Sequence, residues 1–437
     1  MKSLIFSLLL IISTRSLAQF ELLNEDSLKN RLVHTDTRSS ATRTAAALEL
    51  LGRKVPGTPY FDSLRDVIIE EVESSRDRSQ MCSAYLSIAR DYLGYEMNSE
   101  LIQKSKSYID RAAAIASESA LDEYQIGAYL QYAHYFRALG QRDKALAQDN
   151  QAINLTAAMQ GGRDAVRDSL LCVAYSSLSF TWDLFANKLA RFQALLSARE
   201  FAEQSAIDKL IVVSDIDLAD FYADAEQYEK SKDYCALAIQ KGKDAGLWQL
   251  VIQAMQRMAA VYVAQPEKNK EFSLSWYNKA LHIADSLKLS DYQVQLHLDI
   301  LNYYLNYETP EKSIAYLQTQ PEVSRFIDEV GAGYQVNKLY ATACEHRQHY
   351  DSALYFMRQG APYEYGQANN YREKYEFTML YSRILEKMAL WDDLRDKLLL
   401  AKRFADSANN LNLQEDVSQQ LDSVYQKLGD YKNAFYY

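Results

Sequence analysis

About every forty residues this sequence returns to one local pattern, in which a small side chain is followed three positions later by an aromatic one. The small-residue positions fall at Ala89, Ala133, Ser177, Ala219, Ala259, Leu301, Ala341, Ser382 and Asp422, with separations of 44, 44, 42, 40, 42, 40, 41 and 40 residues. Three residues after each come Tyr92, Phe136, Phe180, Tyr222, Tyr262, Tyr304, Cys344, Leu385 and Tyr425, seven of the nine aromatic. A spacing of three keeps both positions on one face of a helix. A small residue there lets a second helix approach, and the aromatic fills the space beside the crossing. Fixed self-similarity at this period is the mark of a repeat array in which each unit buries its apolar face against the next.

Composition agrees with helices rather than strands. The 437 residues include only 14 glycines and 6 prolines, too few turn formers for an all-β chain. Hydrophobic residues make up 48% of the chain, enough for a continuous core, and 33 tyrosines supply large rings with a polar tip suited to half-buried positions between helices.

The clearest copies of the pattern are AYLQYAHYFRALGQRDKALAQDNQAI and DLADFYADAEQYEKSKDYCALAI. In the first, Ala133, Phe136, Gly140, Ala145 and Ala152 stand where helix, turn and helix must come close; in the second, Ala219, Tyr222, Tyr228, Ser231 and Ala238 do. Later copies, SALYFMRQ after HYD and QKLGDYKNA near the end, follow the same scheme. These motifs resemble tetratricopeptide repeats over about residues 81–437. The resemblance implies an all-α, tetratricopeptide-type α-α superhelical solenoid of about nine helix pairs, with units longer than the family's standard 34 residues. The last repeat is incomplete: the chain reaches Tyr437 just after the turn and first residues of a second helix, so a partner or a following segment is expected to cover Ala434, Phe435 and Tyr436.

Residues 19–80 do not join the register. They contain EDSLKNRL and FDSLRDVIIEEVESS, separated by RKVPGTPY, where Pro56, Gly57 and Pro59 enforce a turn. This reads as a helical N-terminal lead-in that caps the first repeat, because a terminal unit must hide an otherwise open apolar face.

Residues 1–18 have the form of a secretory signal peptide: Lys2 at the start, an uncharged apolar run from Leu4 to Ile12, and Ser16-Leu17-Ala18 at the cleavage point. The run is too short to span a bilayer, and no later stretch is long and apolar enough. Cleavage leaves 46 basic residues against 58 acidic ones, a formal charge of −12. That balance speaks against nucleic acid as a partner, since phosphate binding rests on Lys and Arg. Cys82, Cys172, Cys235 and Cys344 are too scattered for a metal motif or a disulfide scaffold, and read as small buried hydrophobes.

No H-E-x-x-H, G-x-S-x-G, phosphate-binding glycine loop or dinucleotide fingerprint is present. His346 and His349, with Glu345 between Cys344 and the turn, are the one local metal-ligand spacing, and they read better as the end of a helix, since no fourth ligand is evident. Glu70-Glu71 and Asp392-Asp393 read as solvated faces. The expectation is therefore a binding protein that is not an enzyme and uses no metal or cofactor.

The resemblance further implies that the first helices line a concave groove, through residues one and four after each small-residue anchor and three and six before it. Here these are Arg90, His134, Arg137, Asp220, Gln253, Gln256, Gln295, Asn302, Lys338, Glu345 and Arg383. Amides and mixed charges suit an extended peptide or a polar ligand. With a signal peptide and an array of this kind, the chain resembles the periplasmic tetratricopeptide sensor region of bacterial membrane-bound signalling proteins. A protein or peptide partner is expected, with signal transduction as the role and the periplasm as the location, tethered to the inner membrane by a transmembrane segment beyond residue 437. The alternative is a free periplasmic scaffold for protein-protein interaction, and a weaker one is glycan capture.

Overall fold

A computed structural model describes residues 40–52, 56, 59–94, 99–159, 164–265, 270–321, 323, 333–365, 371–407 and 411–437. The signal peptide, the EDSLKNRL stretch and Gly57 lie outside the described residues. Among the described residues the regular elements are all helical, and none is long and apolar enough to cross a membrane. The chain divides into two compact units, Met1–Tyr292 and Gln293–Tyr437.

The first unit is a stack of antiparallel helix pairs: α1 (Ser40–Leu51) with α2 (Pro59–Ser75), α3 (Arg78–Leu93) with α4 (Ser99–Glu118), and α5 (Asp122–Ala138) with α6 (Arg142–Ala158). It continues with α7 (Asp164–Leu184) and α8 (Lys188–Ser205), α9 (Asp208–Asp224) and α10 (Tyr228–Asp244), and α11 (Trp248–Ala264) and α12 (Lys270–Ser286). The pair α1–α2 comes from the lead-in. Its Ala47, Leu48, Leu51, Phe61, Ile68 and Val72 share a core with Ala84, Ile88 and Tyr92 of α3, so the apolar flank of the first repeat is covered.

In the second unit follow α13 (Ser290–Tyr307) and the short α14 (Pro310–Gln318), then α15 (Gly333–His346) and α16 (Tyr350–Gly360). A 3-10 turn (Ala361–Tyr365) extends α16 before α17 (Tyr371–Lys387) pairs with α18 (Trp391–Ser407). Last come α19 (Leu411–Lys427) and the six-residue α20 (Tyr431–Tyr436).

All nine anchor positions lie on the first helix of a pair, and eight of them, all but Asp422, are buried. The turn between the two helices is built on the same register. Gly140, Glu226, Gln348, Ala389 and Gly429, each seven residues after its anchor, adopt the left-handed conformation that ends the first helix. The next residue's N–H then reaches back to the carbonyl of the aromatic-register position: Gln141 to Phe136 at 2.8 Å, Gln227 to Tyr222 at 2.8 Å, Asp430 to Tyr425 at 2.9 Å. That is the Schellman closure, which satisfies carbonyls that the helix leaves without partners.

Two pairs carry a further clasp. Buried Ser231 and Ser313, each twelve residues after its anchor, donate from Oγ to the anchor carbonyls of Ala219 (2.7 Å) and Leu301 (2.9 Å). A buried hydroxyl needs such a partner, and this one ties the second helix to the crossing point of the first.

Candidate binding surface

In the first unit each first helix touches the first helix of the next pair: α1 with α3, α3 with α5, α5 with α7, α7 with α9, and α9 with α11. No two second helices meet to a comparable extent among the described residues. A stack whose one layer is drawn closer together curves toward that layer. The first helices of this unit therefore form its inner layer, where a repeat array presents its concave side.

The inner layer is more closed than the sequence suggests. His134 is only 2% exposed and Gln253 8%, because the neighbouring first helices close over both; neither offers a broad face to a ligand, a correction to the expected lining set. Arg90 is mostly buried, its guanidinium 3.3 Å from Asp91. Gln253 Nε2 donates to the Tyr292 hydroxyl at 2.9 Å. Gln256 is half-buried.

Arg137 faces the next repeat rather than an open groove. It donates to Ser177 Oγ and Thr181 Oγ1, both at 3.0 Å, and lies 3.5 Å from the fully buried Asp149. Asp149 accepts from Ser177 at 2.6 Å and from Thr181 at 2.5 Å. Burial pushes its carboxyl above the usual range, against the pull of Arg137 and the two hydroxyls. This cluster joins α5, α6 and α7 by satisfying charges in a dry place, which makes it a structural joint.

Asp220 lies beside Arg257, Nε to Oδ1 3.0 Å. One turn before it on α9 stands Asp217, 7% exposed, with an Oδ2 that has no hydrogen-bond partner. Burial, reinforced by Asp220 and opposed by Arg257 and Arg191, pushes Asp217 up to about 7. Asp220 is pushed up to about 6, again by burial first, with Arg257 opposing. Two carboxylates of one helix face are thus both held above the usual carboxylate range by burial, with Arg257 and Arg191 opposing.

In the second unit, Glu345 and Arg383 are brought together as a bidentate pair, Nε to Oε1 2.5 Å and Nη2 to Oε2 2.8 Å. Gln295 is exposed and donates to Asp299 of its own helix at 3.1 Å. Asn302 is exposed, and Lys338 is half-buried on α15. Glu345 with Arg383 is thus a pairing drawn within the expected set.

The partners that sequence reading missed are Asp91, Asp149, Ser177, Thr181, Arg257 and Tyr292. The 40-residue register held a usable signal for two of them, since their bonds link residues 39 or 40 apart in the sequence, Gln253 to Tyr292 and Arg137 to Ser177. Asp149 carried no such signal, as its burial depends on how α6 packs. His346 is exposed at the end of α15, its Nδ1 3.7 Å from Glu311, and His349 precedes α16. Among the described residues no three metal-ligating side chains converge. Cys82, Cys172 and Cys235 are buried free thiols and Cys344 is half-buried; burial pushes Cys82 up to about 11 and Cys235 up to about 12.

The sequence matches no protein-family model and no curated protein. Solved structures do resemble it. A signal-transduction ATPase of the STAND class with a tetratricopeptide repeat sensor, from Pyrococcus horikoshii, aligns over 98% of this chain and 66% of its own, with a TM-score of 0.52 and 16% identity. A Rap protein complexed with competence and sporulation factor covers 90% of this chain and 100% of its own, at TM-score 0.46 and 11% identity. Aspartyl phosphate phosphatase F from Bacillus subtilis covers 93% of this chain and 96% of its own, at TM-score 0.46 and 13% identity. With its paired helices, its left-handed turns in register and this structural likeness, the chain has the all-α fold of a tetratricopeptide repeat protein.

Proposed function

We propose that this chain binds a peptide or protein segment along the inner layer of its first unit, as the sensing part of a signal-transduction protein exported to the periplasm. The observation that carries the binding role is the inner layer itself: consecutive first helices in contact, with Asp220, Arg257 and Gln256 on a face of mixed charge and amides. Such groups donate and accept along an extended backbone, and a backbone is the ligand with the most regular demand for both. No group here is poised as a nucleophile with its base, so binding rather than catalysis fits the site. The repeat sensor of the Pyrococcus horikoshii protein is the parallel for a sensing role.

Peptides selected from a displayed library against the full chain test this reading. They should compete with one another and lose at least tenfold in affinity on Gln256→Ala and on Arg257→Gln; binders indifferent to both would overturn the inner-layer site. Export is tested by the mass of the chain recovered from the periplasm, expected to begin at Gln19. A chain that keeps residues 1–18 in the cytoplasm would overturn the location. A free scaffold differs from a sensor in its output, so deletion of the gene should alter transcription in response to the bound peptide; an unchanged response favours the scaffold.

A further inference from the structure

Away from the inner layer, the second unit holds a cavity of about 420 Å³ between α16, α17 and α18. Its long wall is one face of α18, where Asp393, Asp396, Lys397, Leu400 and Arg403 follow the helical spacing. Charge is sorted along that wall. Asp393 stands in the first turn and Arg403 in the last part of the helix, ten residues or about 15 Å further on. Arg358 of α16 also lines the cavity. As second members of successive pairs, α16 and α18 run in the same direction, and both arginines lie toward the C-terminal ends of their helices.

Two of the lining charges are already matched. Lys397 is tied to the buried Glu364 and lies 4.3 Å over the Tyr381 ring, while Asp396 pairs with Arg395 at 2.8 Å. Among the described residues, Arg358, Arg403 and Asp393 have neither an ion pair nor a hydrogen bond through their side chains. Between the two charged ends Tyr381, Leu385 and Leu400 supply apolar surface beside the already matched Asp396 and Lys397. The volume is that of a small-ligand site, in which an apolar body is oriented by a few polar groups.

We propose that this cavity binds a short zwitterionic peptide, its C-terminal carboxylate between Arg358 and Arg403, its α-ammonium at Asp393 and apolar side chains over Leu385 and Leu400. Guanidinium forks suit a carboxylate. An extended chain advances about 3.3–3.6 Å per residue, so a span of about 15 Å fits a peptide of about four or five residues. The opposing acid disfavours inorganic phosphate and other polyanions. This site is separate from the inner-layer face and stands without it.

Calorimetric titration of the full chain with tetraleucine, its C-terminal amide and its N-acetyl form tests the assignment. Tetraleucine should bind one to one, with affinity at least tenfold weaker for the amide and severalfold weaker for the acetylated peptide. Arg403→Gln should reproduce the first loss, and Asp393→Asn should erase the difference between free and acetylated peptide. Both residues are exposed, so the substitutions leave the fold intact, to be checked by circular dichroism. The proposal is overturned if tetraleucine does not bind at millimolar concentration, if the amide binds equally well, or if Gln256→Ala abolishes binding while Arg403→Gln does not.

Discussion

Asp217 stands in an environment far from what its residue type prefers. A carboxylate with an unpartnered oxygen and 7% exposure is stabilised by taking up a proton, which is why its folded value of about 7 lies far above the unfolded one near 3.8. The sign follows from linkage. Between those two values the folded state binds more protons than the unfolded state, so the contribution is fully present below about pH 4 and is lost as pH rises through 7. Asp220, pushed to about 6, acts in the same direction over the lower part of that window. Asp217→Asn should therefore stabilise the chain at pH 8 by roughly 1–3 kcal/mol and flatten the decline in denaturation midpoint between pH 5 and 8. Urea titrations of the two proteins across that range check this, and parallel curves would mean that Asp217 does not titrate there. Little of this was readable from the sequence. Asp220 was placed on the lining face by its position after Ala219, but nothing in a string of residues says that Asp217 is sealed from water, because its burial is made by helices far away in sequence.

Among elements, the first helices were the most legible. The anchors and the aromatic positions three residues later fell on first helices throughout, since a period that recurs nine times leaves few ways to place the crossings. The turn seven residues after an anchor was less so, because only two of its five left-handed positions, Gly140 and Gly429, are glycine. Glu226, Gln348 and Ala389 hold the same conformation with a Cβ, which costs about 1 kcal/mol each. Tertiary packing overrides that cost, and a reader looking for glycine passes these turns by. Glu226→Gly and Ala389→Gly should each stabilise the chain by about 0.5–1 kcal/mol, the relief of the left-handed strain less the added freedom of the unfolded chain. Thermal denaturation checks both; a fall in midpoint for either would mean that its side chain holds the turn in another way. The lining set shows the opposite limit. Positions relative to an anchor located Arg137, yet the side chain turns to Asp149, Ser177 and Thr181, because a buried carboxylate recruits the nearest cation.

For the whole molecule, stability follows from pairs that rest on their neighbours. Such an array need not melt as one, and its local stability should fall where a helix lacks a neighbour on one side. The six-residue α20 has Ala434 as its buried residue, while Tyr431, Phe435 and Tyr436 are 72%, 96% and 77% exposed. In hydrogen exchange of the 437-residue chain, the amides of α20 should exchange at least a hundredfold faster than those of α9, which lies between α7 and α11 with its anchor buried. Equal protection would mean that α20 is held by something besides α19.

The bonds that bridge successive pairs carry a consequence for ancestry. Asp220 meets Arg257, Glu345 meets Arg383 and Arg137 meets Ser177, so these three joints each use their own lock and key. Forty-residue segments of this chain are therefore not interchangeable bricks: duplicating or excising one would set a lock against a foreign key. Whatever copying first built the array, a repeat that carries one of these joints has a fixed address.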